Sequence, residues 1–167
     1  MEQFSRTGYN SNFHKIIEKQ IIKLSQNNIY CQDILVDGLG SRINRMGDRC
    51  RNIFKIYGPA GADHLIAGLA QPHILVRSQT ALILRVDGKK WIKAHSQQIV
   101  PHLINTLKDE RYTEAFAQTL FLIRELRPKA SAALPELEKI IKSQDRKYRG
   151  FQSKAQKALK AIKSKNK

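Results

Sequence analysis

Residues 62–69 read ADHLIAGL, and residues 100–107 read VPHLINTL. At an offset of 38 residues His64 meets His102, Leu65 meets Leu103, Ile66 meets Ile104 and Leu69 meets Leu107, while Ala62 and Val100 are both apolar. The apolar letters recur every three or four positions, the period of one helix face. A chain that states one helix twice can use each copy as the packing surface of the other. The segments that follow also repeat. VRSQTALILRV (76–86) puts Val76, Thr80, Ile83 and Leu84 on one stripe. TEAFAQTLFLI (113–123) offers Thr113, Ala117, Leu120 and Phe121 at the same spacing, and FQSKAQKALKAI (151–162) offers Phe151, Ala155, Ala158, Leu159 and Ile162.

The helical period extends in both directions. Phe13, Ile16, Ile17, Ile21 and Leu24 share a face that excludes Lys15, Lys19 and Lys23, so an amphipathic helix is expected there with Ser11 or Asn12 as its cap. Further helices are expected near 29–38, 43–57, 61–71, 74–86, 97–108, 112–126, 131–143 and 148–164. Gly38, Gly40, Gly58-Pro59, Pro72, Asp87-Gly88, Pro128 and Ser143-Gln144-Asp145 punctuate them. No strand is required. A single helix pair cannot bury its apolar face, whereas stacked pairs can, so a period of about 35–38 residues implies an α-solenoid.

With its Val76-Arg77 near the start of the second helix, KIYGPAGADHLIAGLAQPHILVRSQTALILRV (55–86) resembles a HEAT repeat, of the short kind found in phycobilin-lyase-like families. The resemblance spans roughly residues 42–164 and is closest over 59–86 and 99–126. It implies an all-α fold: a short right-handed α-solenoid of about four helix pairs preceded by an N-terminal helix. Residues 1–10 then form a flexible arm, 11–41 a helical cap, 42–164 the repeats and 165–167 a basic tail. The pattern is not uniform. Glu114 and Gln152 stand where another Arg77 is expected, and the acid that often ends the first helix is Asp109 in one unit but Gln71 in another.

Charge carries the functional reading. The chain of 167 residues holds 30 Lys+Arg against 14 Asp+Glu, a net charge of +16. Residues 1–40 balance to zero, with Arg6, Lys15, Lys19 and Lys23 against Glu2, Glu18, Asp33 and Asp37. The whole excess therefore lies beyond them, and after Lys139 the only acid is Asp145. A fold this basic repels itself, so an acidic partner is expected: nucleic acid (DNA or RNA) or an acidic protein, within a larger assembly. Arg42, Arg45 and Arg49 fall on one helix face beside Arg51. Second helices of HEAT arrays line one concave face, so the resemblance implies a track of Arg45, Arg49, Arg77, Arg85, Arg124 and Lys154. The link DGKKWIKAH adds Lys89, Lys90 and Lys93 around Trp91, either a base-stacking platform or an apolar anchor. Lys147, Arg149 and Lys157 complete the candidate nucleic-acid-binding set.

Other chemistries find little footing. There is no P-loop, HExxH, GxSxG or paired-carboxylate motif, and GLGS (38–41) reads as a turn. No catalytic residue, cofactor or metal is expected. His64 and His102 are repeat equivalents, on the order of 10 Å apart, too far to share a zinc ion. HEAT-like arrays include DNA glycosylases for alkylated bases, and Asp87 with Trp91 is the pair this chain offers to that alternative. Cys31 and Cys50 lack CxxC spacing, so a disulfide framework is not expected and a reducing, cytoplasmic setting fits. No secretory signal or membrane span is read, and no membrane partner is expected.

Overall fold

The computed structural model describes residues 19, 20, 23, 29–41, 46–109 and 113–164. The arm, most of the N-terminal helix, Arg42, Arg45 and the tail lie outside the described residues. From residue 29 onward the α-helices are α1 (Ile29–Gly38), α2 (Met46–Tyr57), α3 (Ala62–Gly68), α4 (Ile74–Val86), α5 (Ser96–Lys108), α6 (Thr113–Leu126), α7 (Leu134–Lys142) and α8 (Gln152–Lys163). Short 3-10 turns at Gly58–Gly61, Arg127–Ala133 and Arg146–Tyr148 lead into α3, α7 and α8. The fold is all-helical, with no strand among the described residues.

The duplicated octets are core. Leu65, Leu69, Leu103 and Leu107 are all nearly inaccessible. One continuous apolar cluster runs from Leu35 on α1 to Ile162 on α8, so no pair has a private core. Each helix buries one apolar face, and among the described residues the most extensive helix packing runs between the second helices: α4 packs along α6, and α6 along α8. The first helices lie behind them, α3 on α4, α5 on α6 and α7 on α8. Gly68 shows how tightly the N-terminal units close. A Cβ there would meet Thr80 Oγ1 at 2.7 Å and Val36 Cγ1 at 3.0 Å, so its hydrogen lets α3 approach both α1 and α4.

The structure corrects one register. The stripe expected on α6 contained Ala117, Leu120 and Phe121. The buried set is instead Ala115, Phe116, Thr119, Leu120, Leu122 and Ile123, and Phe121 is half-exposed. Aligned by burial, α4 and α6 are offset by 39 residues: Thr80 matches Thr119, Ile83 matches Leu122 and Leu84 matches Ile123. Phe121 then corresponds to Leu82, a position that faces outward from the core.

Two links are fixed by polar contacts. Arg77 on α4 forms an ion pair with Asp109 at the end of α5, and its guanidinium also donates to the carbonyl of Gln71 at 3.2 Å. Both partners are largely buried, with side-chain exposures of 12% and 18%. One guanidinium thus ties the α3–α4 turn to the α5–α6 turn. Asp145 caps the turn before α8. Its carboxylate accepts from the Lys147 backbone N–H at 3.0 Å and faces the Lys147 ammonium at 3.1 Å, and these hold its pKa below the usual carboxylate value. Cys50 sits in the core under Gly38, and burial raises its thiol pKa.

Candidate nucleic-acid interface

The burial register exposes a pattern in the cations. Each second helix ends with a deeply buried residue followed at once by a base: Phe54-Lys55 on α2, Leu84-Arg85 on α4, Ile123-Arg124 on α6 and Ile162-Lys163 on α8. Each of these bases lies in the last turn of its helix. Arg85, Arg124 and Lys163 are spaced by 39 residues, the same offset that aligns the core. The helices α4, α6 and α8 pack in series, and each carries one of these cations in its last turn.

At the centre of the row two cations meet on one ring. The Arg85 guanidinium carbon lies 5.1 Å from the centroid of the Phe121 ring, and that of Arg124 lies 5.6 Å from it. Two guanidiniums on neighbouring helices therefore share one aromatic ring, which fixes long side chains at little entropic cost. Arg124 also donates to Glu125 at 3.3 Å, a contact at the edge of solvent that leaves its charge available. Lys163 reaches Glu138 at 3.4 Å on an exposed surface. Phe121, Lys55 and Lys163 are not among the site residues expected from the sequence.

Helix dipoles moderate this surface. A C-terminus carries roughly −0.5 charge, so each row cation is partly offset by the helix end beneath it. The same dipole explains why a base is stable at that position even without a ligand, by about 0.3–1 kcal/mol. What the dipole does not explain is the recurrence of the cation at one register, with Glu125 beside Arg124 and Glu138 beside Lys163. The resulting field is positive but modest per site, and strength has to come from several contacts in series.

Other candidates are placed differently. Arg49 is exposed on α2, and Arg51 bonds Asp48 at 2.8 Å on its way to the groove between α2 and α4. Arg77 leaves the track, since its guanidinium is engaged by Asp109 and Gln71 inside the structure. Trp91 is half-buried against the core with its ring edge-on to His95, a placement that suits an anchor of the link. Lys89, Lys90 and Lys93 around it are exposed, and the Lys93 carbonyl accepts from Lys129 Nζ at 2.9 Å. Lys154 belongs to another cluster. It lies over Phe151, and Lys147 over Tyr148, on an aromatic group that includes Phe116. Lys154 and Lys163 are at opposite ends of α8, about 13 Å apart along its axis, so Lys154 does not extend the row. Arg149 and Lys157 are exposed nearby.

Among the described residues no three His, Cys, Asp or Glu side chains converge on a metal-sized site, and no helix is long and apolar enough to cross a membrane. Asp87 lines the α2–α4 groove, and Trp91 is not part of that lining. Compared with family models, curated protein sequences and solved structures, the chain matches none.

Proposed function

We propose that this chain is a non-enzymatic binding module, a short right-handed α-solenoid of HEAT-like pairs that holds nucleic-acid phosphates on the cations ending its second helices. The observation that carries the reading is the recurrence of Arg85, Arg124 and Lys163 at a 39-residue offset in the last turns of their helices, with Lys55 in the last turn of α2 and with Arg85 and Arg124 braced on Phe121. Phosphates recur along a nucleic-acid strand as the bases recur along this face. The contacts are to charge and carry no base code, so binding is expected to be weakly sequence-selective and strongly salt-dependent. The remaining excess of the +16 charge steers encounter and supports a place within a larger assembly.

The test is fluorescence anisotropy with labelled duplex DNA, single-stranded DNA, structured RNA and an acidic peptide, each across a salt series. With about five phosphates engaged, the log–log slope is expected near −4.5 on duplex and roughly −3.5 on a single strand. Tight binding of the acidic peptide with no nucleic-acid binding at moderate salt would instead make the module a protein–protein adaptor.

A further inference from the structure

The groove between α2 and α4 has a chemistry that a phosphate grip does not require. Its described lining is Arg51, Asn52 and Lys55 from α2, and Leu82, Ile83, Val86 and Asp87 from α4 and its end. The space is about 250 Å³. One wall is cationic and amide-bearing, the other is apolar, and a carboxylate stands at its end. Val86 is 52% exposed there, one of few large apolar side chains left open to solvent. A carboxylate weakens a phosphate site, and acids are scarce in this chain, so Asp87 is out of place in a surface built for anions alone.

A nucleobase uses every part of that lining. Its flat face packs on Leu82 and Val86. Its edge carries donors and acceptors that an Asn amide and an Asp carboxylate can pair, as they do when side chains read base edges. The volume is below the roughly 300–1,000 Å³ of sites for drug-sized ligands, and suits one small planar group. The neighbouring positions belong to the row: Lys55 is in the lining itself, and Arg85, outside it, lies between Leu82 and Val86 in sequence with its guanidinium over Phe121 of α6. A duplex keeps its bases paired and stacked, out of reach of a cleft walled by two helices, whereas a single strand can turn a base outward.

We infer that the α2–α4 groove receives one unstacked base of a single-stranded nucleic acid whose flanking phosphates lie on Lys55 and Arg85. This rests on the phosphate-binding reading and adds to it a preference for single strands and a base-dependent contribution.

The experiment compares three probes on the full chain by anisotropy at one moderate salt concentration: a short single-stranded oligothymidylate, an abasic oligomer with the same number of phosphates, and a duplex of the same length. The base-bearing strand is expected to bind about tenfold tighter than the abasic one, in line with the gain from one well-held base. Val86→Met extends into the groove from an exposed position without changing charge or adding an aromatic ring. It is expected to bring the ratio below about twofold while abasic affinity stays as it was. Asn52→Ala, also at an exposed position, is expected to reduce the ratio in the same direction. Equal binding of base-bearing and abasic strands, or tighter binding of the duplex, would overturn the groove assignment and leave the phosphate row standing. Failure of all three probes to bind would overturn the phosphate row, and the groove assignment with it.

Discussion

Arg77→Ala is expected to lower the unfolding free energy by roughly 3 kcal/mol, within the range for breaking a buried ion pair by removing one partner. For a chain of this size the midpoint should fall by roughly 6–12 °C in thermal denaturation followed by circular dichroism. The cause is not the loss of attraction alone. Asp109 is 18% exposed and would keep its carboxylate without the guanidinium that now faces it, while the Gln71 carbonyl loses a donor. The two turns that Arg77 joins would then be held only by their apolar contacts. Arg77→Lys should recover part of the loss, since an ammonium keeps the charge but lacks the planar fork that reaches both acceptors. The double variant Arg77→Leu with Asp109→Leu should be more stable than Arg77→Ala, because it removes the part-buried carboxylate together with the guanidinium that faces it. A double variant as unstable as the single one would mean that the pair is not what joins these turns.

The second large effect concerns binding. Arg85→Ala with Arg124→Ala is expected to weaken nucleic-acid binding about 100-fold at moderate salt, at roughly 1.4 kcal/mol for each charge-assisted phosphate contact. The log–log salt slope should flatten by about 1.5, the share of two phosphates. Stability should change little, since both side chains are part-exposed and the contact each makes with the Phe121 ring is worth about 0.5–1 kcal/mol. Phe121→Leu separates geometry from charge. It keeps every cation, so the slope should hold, while affinity falls because the two guanidiniums lose their common support. An unchanged slope in the Arg85/Arg124 variant would move the phosphates elsewhere, with Lys147, Arg149, Lys154 and Lys157 as the next group to test.

The helices were legible because helical period is written in apolar residues, and the octets at 62–69 and 100–107 write it twice. Leu65, Leu69, Leu103 and Leu107 could be assigned to the core from spacing alone, and they are buried. Register on α6 was harder. TEAFAQTLFLI is apolar on more than one face, so several stripes fit its period, and packing against α4 and α8 selects the one through Thr119, Leu122 and Ile123. That shift of the stripe hid Phe121 among the core residues. A usable signal was present: Ile53-Phe54-Lys55, Ile83-Leu84-Arg85 and Leu122-Ile123-Arg124 each read as two large apolar residues and a base. Aligning on that triplet pairs Lys55 with Arg85 and Arg124, but Lys163 follows Ala161-Ile162, and Ile21-Ile22-Lys23, Trp91-Ile92-Lys93 and Ile140-Ile141-Lys142 carry the same triplet. Arg77 was misassigned for a different reason. Its partner is 32 residues away, and nothing in local spacing tells a guanidinium that faces solvent from one that faces Asp109. Trp91 likewise presents the same letters whether it anchors a link or stacks on a base.

The measurement to make is an amide chemical-shift titration of the isotope-labelled chain with a short single-stranded oligonucleotide. Perturbations are expected to concentrate on Asn52, Lys55, Leu82, Arg85, Phe121 and Arg124, at the ends of the second helices, and to shrink as salt is raised. Perturbations confined to α3, α5 and α7, or none at a concentration where the strand is present in excess, would contradict a phosphate-binding row on this face.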